Sequence, residues 1–116
     1  MTLFGLFERL HGHLALLSLA ALLHPILMLR RPHPGRRALW MAWIGAGGLA
    51  VAFLGGWLLY PAYREGPKLR LLAEAPSLAL RFESKEHLAF VALTLALAGA
   101  ASLQWGGAEA RKLATR

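Results

Sequence analysis

Residues 38–60 read ALWMAWIGAGGLAVAFLGGWLLY, an apolar run of 23 residues without one charged side chain. A helix rises about 1.5 Å per residue, so about 20 residues cross the roughly 30 Å of hydrocarbon in a bilayer. The run is long enough to span. Two more flank it: Leu10 to Leu29 has 20 residues and His87 to Trp105 has 19. With 57% of residues hydrophobic, the charges collect in the short segments between these runs, where a soluble domain would interleave them. The reading is an all-α integral membrane protein: one domain over 1–116, a three-transmembrane-helix bundle with an interfacial segment at 61–86.

The net charge of +7 is placed for topology rather than for nucleic acid. Arg30, Arg31, Arg36 and Arg37 crowd the first loop, and Arg111, Lys112 and Arg116 follow the third run. Basic residues near span ends stay cytoplasmic, and an odd number of spans puts both clusters on one side. The expectation is a multi-pass protein of the inner membrane, N-terminus outside and C-terminus cytoplasmic, in contact with anionic lipid. Met1 to Arg9 lacks the basic start of a signal peptide, because Glu8 offsets Arg9, so the first span is expected to be retained. Asp, Asn and Cys are absent and Gln occurs once, at Gln104, a bias expected of a thermophile and also of a GC-rich genome. Without cysteine there is no disulfide, thiolate metal site, iron–sulfur cluster or covalent c-type haem attachment.

In the second span Gly45, Gly48, Ala52, Gly55 and Gly56 share a face, and in the third Ala89, Ala92, Ala96, Gly99 and Ala100 do the same. Helices in lipid associate by close fit, so small-residue faces mark contacts. The second and third spans are expected to pack through these faces; a self-association face, or a smooth wall beside a porphyrin, would read alike. Trp40 and Tyr60 sit where interfacial anchors are expected. Between the spans, Gly66-Pro67 marks a turn, and Leu69 to Phe82, interrupted by Pro76, predicts one or two short amphipathic helices at the interface. Ser84 is placed to cap the third span, with Glu86 in its first turn.

The histidines carry the functional information. His13 and His24 are eleven residues apart, close to three turns, and share a face of the first span, while His11 points the opposite way. His87 opens the third span at the depth of His13. Haem b needs only axial ligands from facing helices with apolar and small residues around the ring, so His13 and His87 are its expected ligands. His24 is a second-site ligand whose partner must come from a second copy or another subunit, because His33, after Pro32 in the first loop, is poorly placed. A zinc or iron site on Glu83 and His87, joined by Glu86, His11 and His13, uses the same end of the molecule. The plainer alternative leaves the histidines as interfacial polar groups, with His24 bonded to a neighbouring helix.

Tyr60, Tyr63 and Arg64, with Phe82-Glu83-Ser84-Lys85-Glu86-His87, concentrate aromatic and ionisable groups at the outer end. They read either as the rim of a cofactor or quinone site or as an aromatic belt tied by ion pairs such as Arg64 with Glu83 or Glu86. No HExxH, GxSxG, phosphate loop or Asp-containing triad is present, and buried acids and inverted repeats of an ion-coupled carrier are missing. Two functions follow: a haem b electron-transfer subunit, or a non-catalytic accessory subunit that packs into a homo-oligomer or a larger membrane complex.

Overall fold

The computed structural model describes residues 2–30 and 35–114, with side-chain surroundings as far as Gly107. His33 and Arg31 of the first loop lie outside the described residues, as does Arg116. Four helices follow in order: α1 Leu3–Met28, α2 Gly35–Glu65, α3 Pro67–Glu74 and α4 Pro76–Ala114. α1, α2 and the stretch Pro76–Gly107 of α4 are each long and apolar enough to cross a membrane, so the chain is an all-α membrane bundle. Its longest dimension is 65 Å, beyond the roughly 40–45 Å of a bilayer with headgroups, so part of it stands outside.

Thr2 starts α1 by accepting a hydrogen bond from Gly5 N–H on its hydroxyl. Gly35 enters α2 at φ +62°, where a side chain would be strained. α2 is central, with α1 and α4 packed on it and α3 resting against both α2 and α4. Two neighbouring stripes of α2 receive the two partners. Gly45, Gly48 and Gly56 meet α1, where a Cβ on Gly45 would stand 2.7 Å from Leu22 Cγ and one on Gly56 2.9 Å from His11 Cε1. Ala42 and Ala46 meet Ala100, with Ala96 and Leu103 alongside, and Phe53 contacts Phe90 at 6.2 Å between ring centres.

The second and third spans therefore do pack together, but through alanines. The glycine face of α2 is taken by α1, and Gly99 of α4 is exposed with open space at its Cβ position. The reason is geometric: Ala42, Ala46 and Leu49 point one way from the α2 axis, and Gly45, Gly48 and Ala52 lie about a quarter-turn round. The two stripes are adjacent, and only the choice of partner differs from the sequence reading.

The other departure lies between α2 and α4. α2 runs through Pro61 to Glu65, the turn comes at Gly66-Pro67 as expected, and only α3 is a separate short helix. α4 then starts at Pro76, about three turns before His87, because residues 77–86 contain no breaker and Pro suits the first helical position. Ser84 is consequently inside the helix, donating to Leu80 O at 2.9 Å, and does not cap it; Glu86 is not in a first turn either.

Candidate functional site

His11 and Ser18, one face of α1, press into the glycine groove of α2. His11 Nδ1–H donates to Ala52 O at 2.7 Å, since a carbonyl can only accept. That carbonyl already lies in the ladder of α2, and Gly56, one turn on, has no side chain to cover it. Ser18 is buried; its hydroxyl donates to Leu14 O at 2.6 Å within α1, and the same oxygen lies against Gly48, where a Cβ would strike it. The histidine that sequence spacing set aside is thus the one used in packing.

His13 and His24 are exposed on the opposite side of α1. His13 Nδ1–H donates to Arg9 O at 2.7 Å and lines a shallow open groove with Glu8, Arg9, Gly12 and Leu16. His87 does likewise on α4: its Nδ1–H donates to Glu83 O at 2.9 Å, and it lines an open groove with Leu80, Glu83, Ser84 and Leu88. These grooves share no residue, so His13 and His87 are presented outward from two surfaces at the end of the bundle that carries α3. In each ring the Nδ1–H bond leaves the Nε2 lone pair free, the arrangement used by ligating histidines whose other nitrogen is anchored.

Above them α2, α3 and α4 form a helical cap. Tyr63 stacks on Phe82 at 4.4 Å between ring centres, with Tyr60 6.3 Å from Tyr63, and Lys85 Nζ lies 4.1 Å from the centre of the Phe82 ring. Glu83 pairs with Lys68 of α3 at 2.6 Å, in place of the Arg64 pairing expected from the sequence; Arg64 is exposed. The Glu83 hydrogen bond holds the Lys68 ammonium above the ordinary lysine range. The Tyr63 hydroxyl is buried with no hydrogen-bond partner among the described residues.

Among the described residues no three His, Asp or Glu side chains converge as a metal site, so Glu83, Glu86, His11, His13 and His87 are not gathered into one. Among the described residues the buried apolar side chains are alanines with Leu49 and Pro25, and no large side chain is fully buried. Among the described residues the helices meet through small side chains, and the two grooves that His13 and His87 line are open on the outside of the bundle. The sequence reading named His11 only as a recruit to the metal site and gave no role to Lys68 or to Gln104, whose Oε1 accepts from Trp43 Nε1–H at 2.9 Å. For His11 a signal exists: with Ser18 and Leu22 it forms an i, i+7, i+11 face matching the glycines of an antiparallel neighbour. Comparison with protein-family models, with curated proteins and with solved structures finds no match to this chain.

Proposed function

We propose that the chain is a haem b-binding electron-transfer subunit of a membrane assembly, with His13 and His87 as axial ligands. The observation that supports this is the anchored imidazole: each ring is fixed through Nδ1 to the carbonyl four residues back and offers Nε2 outward. Ser84, Thr94 and Ser102 satisfy their hydroxyls by the same bond to the carbonyl four residues back, so what bears on ligation is the outward Nε2 that this bond leaves on the two imidazoles. The surroundings fit a flat apolar ligand edge, with Gly12 open beside His13 and Leu88 and Leu80 beside His87. Because the two grooves lie on different surfaces, each is completed by a helix from another copy or subunit. Haem b would supply one-electron transfer there. The chain's own part is to orient the imidazoles, with Tyr60 and Arg64 at the rim. The basic first loop and C-terminus put this end on the outer face of the inner membrane.

The second reading is an accessory subunit whose role is to pack. It is favoured by the same thin interior, in which alanine and glycine faces make the closest helix contacts and many large apolar side chains are exposed. Absorption spectra of the purified protein, oxidised and dithionite-reduced, with a pyridine haemochrome assay, separate the two. Haem that is lost on His13→Ala and His87→Ala supports the first. A featureless spectrum from cells supplied with haem leaves the second.

A further inference from the structure

α3 is joined to α2 and α4 by single residues, Gly66 and Ala75, and its bundle side is settled: Leu71 is half-buried, and Lys68 holds Glu83 of α4. The rest of the helix is exposed, and its sequence divides that surface in two. Leu69, Leu72 and Ala73, at i, i+3 and i+4, share one flank, while Arg70 and Glu74, four residues apart, share another. Leu69 is 61% exposed and Leu72 44%.

What lies against the apolar flank follows from its height. Trp40 and Trp43 stand near one end of α2 and Tyr60 and Tyr63 near the other, the midpoints of the two pairs about 20 residues and so about 30 Å apart. That is the thickness of the hydrocarbon core, at whose two edges such rings settle. Phe82 stacks on Tyr63 and marks the same edge on α4. Gly66 comes three residues after Tyr63 and Pro76 six before Phe82, so the ends of α3 stand about 5 and about 9 Å beyond the ring pair. Its eight residues make a helix about 12 Å long, which therefore climbs by only about 4 Å and lies closer to the membrane plane than to the normal. Lys68 reaches back to Glu83, next to Phe82, and keeps the first turn near the ring pair. Interfacial helices sit at this height, with the apolar face sunk about 5–10 Å into the boundary between headgroups and acyl chains.

Charge decides what part of the lipid is read. Lys68 is neutralised by Glu83, and Arg70 is offset by Glu74, so α3 offers no net charge to an anionic headgroup. We propose that α3 docks on the leaflet at its own end of the bundle, with Leu69, Leu72 and Ala73 seated among the upper acyl groups and Arg70 and Glu74 towards water. The docking is driven by apolar burial, needs no anionic lipid and does not depend on any cofactor at His13 or His87.

The chain has no cysteine, so each single-cysteine variant of the full protein carries one nitroxide label. In phosphatidylcholine vesicles, labels at Leu69→Cys, Leu72→Cys and Ala73→Cys are expected to relax with lipid-dissolved oxygen more than with a water-soluble nickel chelate. Labels at Arg70→Cys and Glu74→Cys are expected to show the reverse. Ala73→Cys leaves both leucines in place, so its label reports the docked helix even where a leucine replacement loosens it. Adding Leu69→Ser and Leu72→Ser to Ala73→Cys is expected to shift that label towards the chelate, with helicity by circular dichroism unchanged. Exchanging part of the lipid for phosphatidylglycerol is expected to leave the pattern as it was. An Ala73→Cys label open to the chelate while both leucines are present overturns the docking. So does a label shielded from both reagents, which puts protein over the flank, and so does immersion that appears only with phosphatidylglycerol.

Discussion

The His11 imidazole and the Ala52 carbonyl join α1 to α2 by a 2.7 Å hydrogen bond made inside the apolar part of the bundle. Such interhelical bonds contribute about 0.6 kcal/mol on average and up to about 2. His11→Ala is expected to lower stability by an amount in that range, measured by SDS or thermal unfolding in detergent. In haem-free protein His13→Ala, on the far side of the same helix, is expected to leave stability unchanged. Equal losses from both would deny the clasp.

The glycines of α2 divide by what a methyl group would strike. Gly45→Ala, Gly48→Ala and Gly56→Ala push on Leu22, Ser18 and His11, and each is expected to cost about 1–3 kcal/mol through overpacking. Gly47→Ala and Gly99→Ala meet open space, and are expected to be neutral or to gain up to about 1 kcal/mol from helix propensity. Melting temperatures of the five variants give the order directly.

Tyr63 buries a hydroxyl that has no partner among the described residues while its ring stacks on Phe82. Tyr63→Phe keeps the stack and removes the unpaired group, whose burial costs about 1–3 kcal/mol. The variant is expected to be at least as stable as wild type. Phe82→Ala removes the shared ring surface under both Tyr63 and Lys85, and is expected to destabilise the cap. A clear loss of stability in Tyr63→Phe would show that the hydroxyl is bonded in the membrane-bound protein.

The Lys68–Glu83 pair ties α3 to α4. The folded-state ammonium is held above its ordinary value, so the stabilisation from this group is complete below that value and disappears as pH rises through the higher folded one. Protection factors of the α3 amides, which remove the intrinsic rise of base-catalysed exchange with pH, are expected to hold across neutral pH and to fall in strong alkali. Lys68→Gln should show the lower protection already at neutral pH, and high salt should move wild type part of the way. No change in α3 exchange in Lys68→Gln would mean that α3 is held by its leucines alone.

Charge placement makes a prediction about sidedness. A reporter fused after Arg116 is expected in the cytoplasm and one inserted near Glu74 outside. The reverse pattern would move the His13 and His87 surfaces to the inner face.

The fold was legible because its signal is long: runs such as 38–60 can only be buried or lipid-facing, and their length sets a helix. The turn at Gly66-Pro67 was legible for a local reason, since proline and glycine act without tertiary context. The start of α4 was not, because a helix that leaves the membrane continues through Lys85 and Arg81 without any break in backbone preference. Hydropathy marks where the bilayer ends, and Pro76 marks where the helix begins. Partner choice was hidden too, since adjacent Gly45 and Ala46 stripes read as equally good contact faces. For the histidines, spacing sorted His13 and His24 from His11 correctly. It gave no sign that the odd one, with Ser18 and Leu22 behind it, was the packing face, which needed the α2 glycines read in antiparallel order.

The contact of Ala42 and Ala46 with Ala96 and Ala100 has a thermodynamic consequence. Alanine has no side-chain rotamers to immobilise, whereas a buried leucine gives up roughly 0.5–1 kcal/mol of conformational entropy and a methionine more. Joining α2 to α4 therefore orders few torsions beyond the backbone already fixed by each helix. Since that entropic penalty grows in proportion to absolute temperature, warming takes less from this joint than from one built of larger side chains.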